Sequence, residues 1–187
     1  PVEKGDIVVD VGASVGPFTY SILNKKPKHI FCLEPSASEF ITLGQNLPNS
    51  NITLINKGIS DIDGGVDSKY LFGGETFMVA TTFKTFLKDN NIGVIDFLKT
   101  DCEGGEYDIF TIDNFCLLKD SLRKVVGEWH LSTPEFKQKF RVFRDVFLRL
   151  FPNHEIYSVD GVDIKWDLWN EHFLEYYNEI IIYIDNR

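Results

Sequence analysis

The stretch Ile7-Val8-Val9-Asp10-Val11-Gly12-Ala13-Ser14-Val15-Gly16-Pro17-Phe18-Thr19 limits the fold more than any other part of the chain. Its β-branched, apolar opening reads as a buried strand. Two glycines then turn the chain, and Phe18 to Asn24 can continue as a helix. A doubly wound sheet receives a nucleotide-like ligand through this succession of strand, glycine turn and helix. The turn lets main chain approach the ligand, and the helix start offers unpaired N–H groups.

Three chemistries use such a turn. A dinucleotide fingerprint, G-x-G-x-x-G, would need glycines where Ser14 and Pro17 stand, so a pyrophosphate site is not expected. Gly12-Ala13-Ser14-Val15-Gly16 also fits the G-x-S-x-G elbow of serine hydrolases. That elbow normally follows several strands, and only one precedes Ser14. The third is an S-adenosylmethionine (SAM) turn, in which an acid ends the strand and small residues follow. It needs a second acid at the end of the next strand, and Glu34 supplies one.

At 187 residues the chain is expected to form a single domain, residues 1–187, with a substantial core. It starts at Pro1, almost on its first strand, so a piece of a longer protein is the expectation. No apolar run reaches the roughly 20 residues of a membrane helix. A formal charge of −9 repels phosphate backbones and argues against a nucleic-acid partner. Cys32, Cys102 and Cys116 are odd in number and lack metal-ligand spacing, which suits reduced thiols in a cytoplasmic protein.

Strands and helices alternate along the rest of the chain. Strands are expected at 29–34, 52–59, 94–100, 124–129, 154–159 and 179–185, with a short hairpin strand at Lys69 to Phe72. Helices are expected from Ser36 to Leu47 and from Thr82 to Asn90. Phe136, Phe140, Phe143, Phe147 and Leu150 form one apolar stripe of a longer helix, with Ser132 and Glu135 as its capping box. Lys137, Lys139, Arg141, Arg144 and Arg149 lie on the opposite face, read as a solvated surface. This alternation implies an α/β fold, a largely parallel sheet with helices on both faces.

The runs D-V-G-A-S-V-G-P-F-T, F-C-L-E-P-S, I-D-F-L-K-T-D-C-E-G-G-E and G-E-W-H together resemble the FkbM-like family of SAM-dependent methyltransferases. The likeness extends from Val8 to about His130, and Lys99 to Glu106 is its most specific piece. Where the family usually carries asparagine, this chain has Ser14. The resemblance implies a Rossmann-like, class I fold with seven strands. It also implies O-methylation of a hydroxyl on a sugar or polyketide-type small molecule or glycan.

The residues themselves suit that chemistry. Glu34 stands 24 residues after Asp10, where an acid can accept hydrogen bonds from both ribose hydroxyls. Asp10 is the candidate partner of the SAM ammonium, directly or through water. Gly12, Ala13, Ser14, Gly16 and Phe18 form the turn and helix start around its carboxylate. Pro35 and Ser36 follow the ribose acid, and Gly58 and Ile59 are candidates for the adenine edge. In the family's strand order Asp101, Glu103, Glu128 and His130 converge where the methyl group is presented, Asp101 also bordering the cofactor.

There, His130 is the candidate general base, with Asp101 or Glu128 to orient it or bind the acceptor. Three carboxylates and a histidine would also suit a hard cation such as Mg²⁺ or Ca²⁺, but the resemblance does not require one and no metal ligands are assigned. Two other readings remain at this stage: a serine hydrolase using Ser14, and a non-catalytic SAM-binding domain of a larger protein. Between the last two strands Gly161 to Asn178 carries Trp166, Trp169, Phe173, Tyr176 and Tyr177 at helical steps. They are expected either to pack on the domain or to form a flap beside the active edge.

Overall fold

The computed structural model of the chain describes residues 1–47, 50–67 and 77–187. The expected strand at Lys69 to Phe72 lies outside the described residues. Seven strands form the main sheet: β1 (Ile7–Val11), β2 (His29–Leu33), β3 (Ile52–Ile55), β7 (Phe97–Thr100), β8 (Lys124–His130), β9 (His154–Ser158) and β10 (Glu179–Asp185). Their order is β3-β2-β1-β7-β8-β10-β9, and all run parallel except β10, which is antiparallel to both neighbours. A small second sheet, ordered β4-β6-β5, is built from β4 (Gly58–Ile59), β5 (Gly64–Asp67) and β6 (Phe77–Thr81).

The apolar runs form central strands because both faces of the sheet are covered. On one face Val8, Ile30 and Cys32 pack with Leu43 and Leu47 at the end of α2 (Ala37–Asn46). On the other, Val9, Val11, Leu98 and Trp129 join a larger core rich in phenylalanine. Trp129 stacks on Phe143 with ring centroids 4.9 Å apart and meets Phe110 at 5.5 Å.

Four expectations, about one strand and one helix, change in detail. The strand expected at 52–59 divides, because the Asn56 amide donates to the main-chain oxygens of Glu34 (2.8 Å) and Pro35 (3.2 Å) and pulls the chain out of line. Thr133, not Ser132, caps α6 (Pro134–Val142), accepting from Phe136 N at 3.1 Å. Six residues of π-helix, Phe143–Leu148, then rotate the stripe, so Phe147 is buried while Leu150 is exposed. Nor is the basic face uniformly solvated: Arg144 is buried and bonds Glu171 at 3.0 Å.

Gly161 to Asn178 is not one helix. After a turn at Gly161 (φ 81°), Val162 to Ile164 runs back beside β9. Only two short helical turns follow, Lys165–Asp167 and α7 (Phe173–Tyr176). Phe173 is buried against Phe140. Trp169 lies under Arg149 at 4.5 Å, near the end of β9 where Lys165 bonds His154 O, opposite the end that carries the site. The flap reading therefore falls. No helix of the described residues is long and apolar enough to cross a membrane.

Candidate active site

The loops following the C-terminal ends of β1, β2 and β7 meet over the edge of the sheet, as expected of an open α/β fold. The turn after β1 depends on residues that tolerate positive φ: Gly12 (75°), Ser14 (48°) and Gly16 (93°). A Cβ on Gly12 would lie 1.8 Å from the Asp101 carbonyl oxygen, so only glycine permits the β1 and β7 ends to approach this closely. Main-chain N–H groups of Gly12 and Ala13 both donate to Leu33 O at 3.0 Å and tie the turn to β2.

Glu34 closes the loop. Its two oxygens accept 2.8 Å bonds from Ser14 N and Ser36 N, and the Ser14 hydroxyl donates to Glu39 at 3.0 Å. Burial raises the Glu34 carboxyl above its ordinary range, against the lowering effect of those two N–H bonds. Glu34 also lines the cavity along this edge.

A cavity of about 710 Å³ runs along this edge. Gly12, Ser14, Glu34, Pro35, Ser36, Gly58 and Ile59 line it on the side of β1 and β2, and Asp101, Glu103 and Glu128 on the side of β7 and β8. Glu34 follows β2 and Glu128 lies in β8, three strand intervals away, about 14 Å at the usual spacing.

Asp10, Ala13, Gly16 and Phe18 have other tasks. Asp10 is fully buried beneath the turn, accepts from the Thr19 hydroxyl at 2.8 Å and faces the Lys99 ammonium at 3.4 Å. A carboxylate held this way does not open on the cavity to meet a ligand ammonium. Ala13 is buried beneath α1 (Pro17–Ile22), Gly16 is its N-cap, and Phe18 stacks on Phe97. These residues shape the turn from below. Lys99 also donates to Gly12 O at 2.7 Å and lies 3.7 Å from Asp101, so one ammonium links both strand ends.

His130 ends β8 with its side chain almost wholly buried behind Glu103 and Glu128. The carboxylate of Glu106, fully buried in α4 (Glu106–Ile109), accepts from His130 N at 2.8 Å and its other oxygen accepts from Gly104 N at 2.9 Å. His130 Nδ1 lies 3.1 Å from the same Oε1 and donates to it. Burial alone would lower the His130 pKa. The bond and charge of Glu106, then the charges of Glu103 and Glu128, outweigh this and push it up to about 9. The ring thus has Nδ1 engaged by Glu106, with Nε2 facing Glu103 and Glu128. Burial raises the carboxyls of both Glu103 and Glu128.

Lys99 and Glu106 belong to the motif Lys99 to Glu106, yet strand-end reasoning assigns them no role, since it places acids without showing what lies beneath them. Asp108, pushed up to about 6 by burial against the attraction of Lys139, lines the cavity and was likewise not foreseen. Ser14 has lost the hydrolase reading: its hydroxyl bonds Glu39, and among the described residues no histidine bonds it.

This sheet order, with its single reversed strand and a cavity along the strand ends, defines a class I methyltransferase fold. The family model for the methyltransferase FkbM domain matches residues 10–158, and the chain belongs to that family. Among solved structures, the FkbM methyltransferase of Methylobacillus flagellatus matches with a TM-score of 0.62 at 16% identity, over 98% of this chain and 44% of that one. The chain thus spans less than half of that relative's length. Fibrillarin of Aeropyrum pernix, solved with bound SAM, gives 0.53 at 15% identity over 98% and 68% of the two chains. A putative methyltransferase from Streptococcus mutans, in complex with the demethylated product SAH, gives 0.54 at 8% over 98% and 90%. At these identities the likeness is one of fold. No curated protein matches the sequence.

SAM is the cofactor this family implies, and the residues present fit it. Glu34 would offer carboxylate lone pairs to ribose hydroxyls, while Pro35, Ile59 and Met78 would supply apolar wall for a purine.

Proposed function

We propose that the chain is a SAM-dependent O-methyltransferase that modifies a hydroxyl of a sugar or polyketide-type small molecule or glycan. One observation carries the reading: a single cavity joins the ribose acid Glu34 to the acid cluster of Asp101, Glu103 and Glu128. When bound, SAM supplies a methyl carbon on a sulfonium, which accepts an oxygen lone pair as the S–C bond breaks and leaves its electron pair on sulfur.

The chain's own residues hold the partners in line and remove a proton. Glu34 takes the ribose, the turn from Gly12 to Phe18 shapes the methionine end, and Pro35, Ser36, Gly58 and Ile59 border the adenine. Asp101 sits between cofactor and acceptor. Glu128 and Glu103 face the cavity, and their burial-raised carboxyls make them the bases that receive the acceptor's proton. His130, anchored by Glu106, is the positioning residue between them. Alignment and proton removal each lower the barrier, the latter by roughly 10²–10⁴-fold in rate. The net charge of −9 disfavours nucleic-acid acceptors, and the free thiols of Cys32, Cys102 and Cys116 suit the cytoplasm.

The test pairs calorimetry with SAM and SAH with a mass-spectrometric screen of hydroxyl compounds for the gain of one methylene. Glu128→Gln should leave SAM binding nearly intact and lower kcat by about 10²–10⁴ on any acceptor found. SAM binding with no turnover on any hydroxyl acceptor would instead indicate a non-catalytic binding domain.

A further inference from the structure

We propose that Asp101, Glu128 and His130 bind a divalent cation of the Mn²⁺ type at the acceptor end of the cavity. This rests on the acceptor-edge reading above and deepens it. One ligand atom from each of the three residues lies within 4.8 Å of the others. The arrangement is built into the sheet: β7 and β8 are parallel neighbours, with Thr100 opposite Gly127, so Asp101 follows β7 beside Glu128. Glu128 and His130 are two apart on one strand and share a face.

The second observation is the way His130 is held. Glu106 Oε1 accepts from His130 N at 2.8 Å and lies 3.1 Å from His130 Nδ1, which fixes the ring. Nε2 then points toward the acids and makes no hydrogen bond among the described residues. Its nearest carboxylate oxygens are on Glu103 at 3.5 Å and Glu128 at 4.0 Å. Two donors around an ion with bonds of about 2.1 Å are about 3.0 Å apart when adjacent and about 4.2 Å when opposite. The Glu128–His130 separation of 4.0 Å falls in that interval, and Asp101 offers an oxygen within 4.8 Å of both. A buried carboxylate behind a histidine that faces further ligands is the usual outer support of a histidine–metal bond.

Donor chemistry selects the ion. Imidazole suits transition metals and carboxylates suit hard cations, so the mixed set favours Mn²⁺ over Ca²⁺. Asp101 is 44% exposed and Glu128 27%, so part of the coordination sphere opens on the cavity. Three protein donors leave places for two neighbouring oxygens of one acceptor. That points to a vicinal diol, whose bound hydroxyl gives up its proton more readily, here to Glu103, since Glu128 then serves as a ligand.

Mn²⁺ titrated into SAM-free protein, followed by the electron paramagnetic resonance signal of the free ion, tests this without any turnover. One saturable site per chain is expected, with affinity in roughly the micromolar range. Asp101→Asn and Glu128→Gln, both near the surface and conservative, should each weaken binding at least tenfold. Glu106→Gln should weaken it by about 10–100-fold through the outer support, while Asp113→Asn, a surface acid elsewhere, should not change it. No stoichiometric site, or equal binding by wild type, Asp101→Asn and Glu128→Gln, would overturn the assignment. Turnover that survives chelation would sink the catalytic use of the ion and leave the methyltransferase reading intact. Failure to bind SAM would sink that reading without touching the Mn²⁺ result.

Discussion

Glu106 gives the sharpest test of how this site is held together. Its carboxylate is fully buried and accepts two main-chain N–H bonds, from His130 at 2.8 Å and Gly104 at 2.9 Å, besides the His130 ring. Glu106→Ala leaves both main-chain donors buried without an acceptor, and each such loss costs about 1–3 kcal/mol. Removing one side of a buried charged pair adds to this, so about 3–5 kcal/mol is expected. For a domain of this size that lowers Tm by roughly 10 °C, at about 2–4 °C per kcal/mol. Glu106→Gln keeps the volume and one acceptor oxygen, but its amide must turn a donor toward one of the two N–H groups. Its loss should be intermediate, about 1.5–3 kcal/mol. Urea denaturation followed by the fluorescence of buried Trp129 ranks the three proteins, and amide exchange at Gly104 and His130 shows where protection is lost. Should both variants stay within about 0.5 kcal/mol of wild type with an unchanged slope, the carboxylate does not anchor the site.

Two further outcomes follow from the cavity wall. Glu34→Ala should weaken SAM and SAH by about 10–100-fold in a titration calorimeter, through lost ribose bonds and a looser Ser14 turn; unchanged affinity in the folded variant would remove Glu34 from the site. Asp108, pushed up to about 6 in the fold, favours its protonated form, so the associated stability is complete below about pH 4 and is lost as pH rises through 6. Asp108→Asn should therefore be more stable than wild type by about 1–2 kcal/mol at pH 7.5, less than the full shift implies because the side chain keeps some water. The two should not differ near pH 3.5, and an equal gap at both pH values would contradict the burial account.

Much of the fold is legible because apolar runs of strand length must be covered on both faces, and their alternation with helices leaves few topologies. Asp10 and Glu34 can be placed at strand ends from spacing alone. Which of them opens on the cavity cannot, since that depends on Thr19 and Lys99 closing over Asp10. The misplaced cap has a local reason: two hydroxyl residues precede Pro134, and proline at the first helical position makes Thr133 the cap. Trp166 and Trp169 keep helical spacing, but the reversal at Gly161 carries them to the far end of the sheet. His130 can be placed by position, while the way its ring is held follows from Glu106, whose contact 24 residues away no local pattern reveals.

The returning segment Val162 to Ile164 has a consequence for how molecules of this protein meet. A parallel sheet ending in an open strand offers its unpaired N–H and C=O groups to any other chain. Here Ser158 N bonds Val162 O at 2.9 Å and Ile164 N bonds Ile156 O at 3.0 Å, so the outer side of β9 is already occupied by the chain's own backbone. Lys165 then fastens the segment to His154 O. The stretch that resembled a substrate flap thus acts as a seal against strand addition, and shortening it should promote self-association at high concentration before it alters any chemistry at the opposite end of the sheet.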